Sequence, residues 1–129
     1  MPTFLKGLST QRLMVAILFI LLFAMAIRTP LDTDTWWHLR SGEYILANRA
    51  VPLTDPFSLT RYGQPWIDHS WGSQIVMVGF YRLFGGAGQP GDGGNVGLAV
   101  YTALLATVGM AFVYLMCDGN VYLRALVVI

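Results

Sequence analysis

Seven consecutive residues, Asp32-Thr33-Asp34-Thr35-Trp36-Trp37-His38, set two carboxylates and an imidazole side by side. If a helix starts at Thr33 or Asp34, then Asp34 and His38 lie four positions apart on one face and can share a proton or a cation. A second group, Asp55, Asp68 and His69, follows in the same stretch. Each of these residues also has a plainer use. Asp32 can cap a helix, Asp34 can sit in its first turn facing the macrodipole, and Asp55 before Pro56 suits a turn. His38 and His69 can be structural hydrogen-bonding residues, and Asp-x-Asp alone is a weak motif. The rest of the chain offers little competing chemistry. A single cysteine, Cys117, excludes an internal disulfide and Cys-based zinc sites. The glycine run 85–94 lacks the Lys-Ser/Thr ending of a phosphate loop, and no nucleophile triad is visible.

The elements that must position these groups follow from composition. The chain has 129 residues, 55% of them apolar and only 12% charged, with mean hydropathy +0.56. A soluble domain carries about 25% charge, so an ordinary soluble domain is disfavoured. Eight basic residues against seven acidic ones exclude a basic nucleic-acid-binding surface. The charge is segregated: residues 28–69 hold five of the seven acids, both histidines and four arginines.

Leu13 to Ile27 is uncharged and fenced by Arg12 and Arg28. As a helix it covers roughly 22 Å, short of a ~30 Å hydrocarbon core. A start near Leu8 with snorkelling arginines closes the deficit, which predicts a first span over 8–28. A signal peptide is the rival, with Lys6 and Arg12 as its basic region and Ala24-Met25-Ala26 as its cleavage pattern. Further apolar segments and the Arg28-Thr29-Pro30 junction favour the uncleaved span.

Residues 29–69 are expected to form a large external loop, in which Thr35 to Ala47 makes a short amphipathic helix suited to the membrane interface. Ala50 to Pro56 must be extended or turning, and Tyr62-Gly63-Gln64-Pro65 is a turn. Asp68-His69-Ser70 opens a second span over 70–84, and 85–95 is a glycine-rich connector. A third span covers 96–117, ~33 Å as a helix. Asp118-Gly119-Asn120 turns the chain into the start of a fourth at 123–129. The expectation is an all-α membrane protein with about three transmembrane helices and part of a fourth, its N-terminus cytoplasmic. Leu126 to Ile129 stop inside an apolar run, which reads as the N-terminal part of a longer polytopic domain.

The ordered succession of motifs resembles a known family. An N-terminal span leads to Asp32-x-Asp34-x-Trp36-Trp37-His38-Leu39 and a helix. Val51-Pro52-x-x-Asp55-Pro56-Phe57-Ser58, Gly63-Gln64-Pro65-Trp66-Ile67-x-His69-x-Trp71 and Tyr81-Arg82-Leu83-Phe84-Gly85 follow. Together they resemble the start of GT-C-type membrane glycosyltransferases, above all the bacterial branch related to dolichyl-phosphate-mannose-protein mannosyltransferases and arabinose transferases. In such proteins an acidic motif follows the first span, a helix lies parallel to the membrane, and a proline-containing segment enters a second span that closes on a Leu-Phe-Gly-like ending. The resemblance covers Leu13 to Gly86. It departs from the family in two places. Thr35 stands where the usual Asp-Glu pair has its second acid, so that acid would be Asp32. Gln64-Pro65-Trp66 replaces the usual His/Lys-Pro-Pro.

The resemblance implies transfer of a sugar from a polyprenyl-phosphate donor to an acceptor hydroxyl at the outer membrane face. It implies Asp34 as the base, with Asp32 as the second acid. Arg40, Arg61, Trp66 and His69 would bind substrate. The departing phosphate would meet those arginines or a divalent cation held by Asp32, Asp34 and His69. The partners implied are the lipid bilayer and the lipid-linked donor, with no nucleic acid; the sequence carries no signal of oligomeric state. Two other readings stand beside this one: a non-enzymatic polytopic membrane protein, such as a transporter or assembly subunit, and an inactive truncated remnant.

Overall fold

A computed structural model describes residues 9–28, 32–87 and 93–129. Among them the chain is all-α, with helices α1 (Thr10–Ala26), α2 (Asp34–Asn48), α3 (Trp71–Leu83), α4 (Gly94–Met116) and α5 (Val121–Val128). They fall into two compact units: residues 29–98 form one, and 1–28 with 99–129 form the other.

The expectation of three spans is corrected to one. Among the described residues only α4, at 23 residues, is long and apolar enough to cross a membrane. The first apolar segment does not reach 8–28 as a helix: the Ser9 hydroxyl accepts from the Arg12 amide and fixes the start at Thr10, and the backbone is extended at Ile27. Its 17 residues cover about 26 Å, below the hydrocarbon thickness. The segment 70–84 yields only the 13 residues of α3, about 20 Å, and α3 buries Gln74, Val78 and Tyr81 within the protein. The predicted start of a fourth span is the short α5, capped by the Asn120 side chain, which accepts from the amides of Tyr122 and Leu123.

In the unit of residues 29–98, α2 and α3 pack together around Leu39, Val78, Tyr81 and Leu98. The buried face of α2 carries Leu39, Ser41, Gly42 and Ile45. Gly42 is glycine because α3 crosses at this point: a Cβ there would lie 2.5 Å from the Gln74 carbonyl oxygen and 2.8 Å from Val78 Cγ2. Arg49, in the left-handed conformation, ends α2. In the other unit α1 contacts α5, Phe19 meets Tyr114 edge-on at 5.7 Å, and the Arg124 guanidinium lies 5.9 Å from the Tyr114 ring centre.

Candidate functional site

The polar residues of the first unit gather where α2 crosses α3. Asp68 lies just ahead of α3, its Oδ1 accepting from the Ser70 amide at 3.3 Å and the Ser70 hydroxyl at 3.4 Å. One turn into α3, Gln74 Nε2 donates to the same Oδ1 at 2.9 Å and lies 3.2 Å from His38 Nδ1 on α2. The amide nitrogen has two protons and a third neighbour, Ser70 Oγ at 3.3 Å, so His38 Nδ1 and Ser70 Oγ share the proton that Asp68 does not take. Asp68, Gln74 and Ser41 are all buried, and Asp68 Oδ2, Gln74 Oε1 and Ser41 Oγ find no hydrogen-bond partner among the described residues. Buried polar atoms are normally paired, so these three orphans are unusual.

Beside this node the 53–66 loop folds back on α2. Thr54 pairs with Pro65 in an antiparallel bridge, flanked by hydrogen bonds from the Asp55 amide to the Gln64 carbonyl (2.9 Å) and from the Trp66 amide to the Leu53 carbonyl (2.9 Å). Gly63 takes φ 75° to close the turn, where its own amide donates to the Asp55 carbonyl at 2.8 Å. Asp55 Oδ1 accepts from the amides of Phe57 and Ser58 at 2.9 and 3.0 Å. The Ser58 hydroxyl first, then these two amides, hold the Asp55 carboxyl below its ordinary value. The loop so fixed presses Phe57 and Trp66 onto α2. Phe57 meets Trp37 and Tyr44 edge-on at 5.0 and 5.4 Å, and Trp66 lies 5.5 Å from Trp37.

The sequence-predicted site residues are only partly brought together. Asp32 and Asp34 are both exposed at the start of α2, with Asp32 Oδ1 accepting from the Asp34 amide at 3.0 Å in a turn that leads into the helix. The Asp34 carboxylate has no hydrogen bond or ion pair among the described residues. His38 is engaged by Gln74 through Nδ1. Arg40 is exposed and pairs with Glu43 at 3.3 Å, through one guanidinium nitrogen. Arg61 is exposed in the loop, with its charge acting on Asp55. Trp66 belongs to the aromatic cluster, while His69 is exposed and its neighbour Asp68 takes the buried place. Among the described residues no three His, Cys, Asp or Glu side chains gather as a metal-binding group. Asp32, Asp34 and His69 are not among such a group. Sequence reasoning missed Gln74, whose signal was an amide inside an otherwise apolar helical stretch, four residues before Val78 on the buried stripe.

The chain matches no protein-family model, no curated protein and no solved structure.

Proposed function

We propose that this chain belongs to an integral-membrane glycosyltransferase and supplies its first external loop, with Asp34 as the base. The acceptor hydroxyl loses its proton to the Asp34 carboxylate as its oxygen attacks the anomeric carbon of the donor sugar. The new C–O bond forms while the bond from that carbon to the phosphate oxygen breaks, and the polyprenyl phosphate departs with the electron pair. Arg40 and Arg61 supply positive charge to the departing phosphate. The loop lies at the outer face, and α4 crosses the bilayer.

One observation carries this reading. An exposed carboxylate that no other side chain among the described residues engages stands one helical turn before Trp37, which is clamped by Phe57 and Trp66. Rigid aromatic rings offer a flat apolar surface for the C–H face of a sugar, and a neighbouring free carboxylate is available to take a proton from its hydroxyl. The motifs that carry the family resemblance are the segments that build this arrangement: residues 32–39, 51–58 and 63–71.

The test is Asp34→Asn in the intact membrane-embedded protein, with transfer measured from a radiolabelled polyprenyl-phosphate sugar. Transfer is expected to fall roughly 10²- to 10⁴-fold with membrane insertion unchanged. Wild-type transfer by the variant would refute the assignment.

A further inference from the structure

The loop that clamps the aromatic cluster has a second side. Phe57 and Trp66 turn in to α2, but the same loop leaves Leu53 79%, Leu59 98%, Tyr62 73% and Ile67 87% exposed. These exposures are not those of a slack segment. The Thr54–Pro65 bridge, the backbone bonds around it, the Asp55 turn and the Phe57–Trp66 contact fix the loop's course, and three aromatic contacts fix it to α2. Four large apolar side chains presented by a rigid support within fifteen residues make a patch that water alone does not favour.

The charges narrow the occupant. Asp55 turns its carboxylate to the Ser58 and Phe57 amides inside the loop, and Arg61 is exposed with its charge acting on Asp55, so the loop carries one acid and one base. An apolar tip with an exposed arginine and a tyrosine suits the headgroup and upper acyl region of a bilayer. The same chain holds a helix long and apolar enough to span one. The structure assigns to the 53–67 loop the role of a rigid interfacial anchor that seats Leu59 and Ile67 in lipid. Of the two candidate interfacial elements it is the loop, and not α2, that carries this role: α2 gives its apolar stripe to α3. The aromatic cluster would thereby be held at a set depth, and this assignment stands whether or not the protein transfers sugars.

The test uses the single cysteine to advantage. Cys117→Ser provides a background in which a nitroxide is placed, one at a time, at residues 59 and 67 of the full chain. The protein is reconstituted in vesicles of phosphatidylcholine and phosphatidylglycerol, and collision rates with oxygen and with a water-soluble nickel chelate are read by EPR. Near-UV circular dichroism of the tryptophans confirms that the loop remains folded in each labelled protein. Oxygen collisions exceeding nickel collisions at both positions is the expected result. Nickel exceeding oxygen at either position places that residue in water and overturns the assignment. A label immobilised and reached by neither reagent means that protein covers the patch, another part of the chain or a second copy, and overturns it equally.

Discussion

Gly42→Ala tests the packing that holds the site together, and its effect can be worked out from the crossing geometry. The added Cβ would stand 2.5 Å from the Gln74 carbonyl oxygen, against the 3.4 Å at which ordinary contact begins, so α2 and α3 must part by about 0.9 Å. A gap of about 0.5–1 Å forfeits a quarter to a half of the dispersion well at each contact it opens. The side chains along this seam, Leu39, Val78 and Tyr81, are each worth about 1.5–3 kcal/mol when fully buried. The loss is then about 1.5–3 kcal/mol, offset by the ~1 kcal/mol that alanine gains over glycine in a helix interior. Gly42→Ala should therefore destabilise the α2–α3 unit by about 0.5–2 kcal/mol. Gly79→Ala is the control: it too lies inside a helix, but a Cβ there meets nothing within 4 Å, so only the propensity gain remains and the unit should be stabilised by up to ~1 kcal/mol. Amide hydrogen exchange of α2 and α3 in detergent micelles reads both changes separately from the rest of the chain. If the two substitutions shift protection in the same direction, the close crossing at Gly42 is wrong.

Two further perturbations address the polar groups. Because the Asp55 carboxyl titrates lower in the folded loop than its ordinary value of 3.8, its charge stabilises the loop above that pH and ceases to do so as pH falls through the folded value. Asp55→Asn retains an acceptor for the Phe57 and Ser58 amides but cannot titrate, so the acid-induced change in Trp66 fluorescence below pH 3.8 should disappear; its persistence would place the transition elsewhere. Gln74→Leu keeps the volume but strips His38 Nδ1 of its donor and Asp68 Oδ1 of its shortest hydrogen bond, which should cost about 1–2 kcal/mol in thermal unfolding. It should also release the ring, visible as a change in the His38 ¹⁵N shifts; unchanged shifts would show that Gln74 does not hold the ring.

Much of the local structure was legible because it rests on short-range chemistry. The Asp32–Asp34 start of α2, the turn at 62–65 and the opening of α3 at Asp68–Ser70 all follow from capping and turn residues whose partners lie within three positions. What misled was the apolar body of residues 71–84. Its hydrophobicity is that of a lipid-facing helix, yet its Gln74, Val78 and Tyr81 stripe serves α2, and hydrophobicity alone does not distinguish a protein partner from a lipid one. The partner of His38 was equally hidden. Sequence spacing offers Asp34, four residues away, whereas the contact is with Gln74, 36 residues on. Trp37 and Tyr44 read as membrane anchors because their spacing on one helical face is visible, but the ring they share, Phe57, comes from a separate segment.

The burial pattern divides the acids by what each can do. Asp68 faces Gln74 and Ser70 and is closed off from solvent, so a substrate hydroxyl cannot reach it; it can act only on its neighbours. Asp34 is open to solvent and holds no partner among the described residues, so it can accept from a substrate but contributes little to packing. Gln74 links the buried half to the open half. Its Nε2 lies 3.2 Å from His38 Nδ1, and His38 stands four residues along the helix from Asp34. On the proposed reading a carboxylate that accepts and an imidazole that can donate lie on one face of α2, which suits an acceptor sugar with adjacent hydroxyls better than two like groups would. The buried node thus ties His38 on α2 to Gln74 on α3 and to Asp68 just ahead of it.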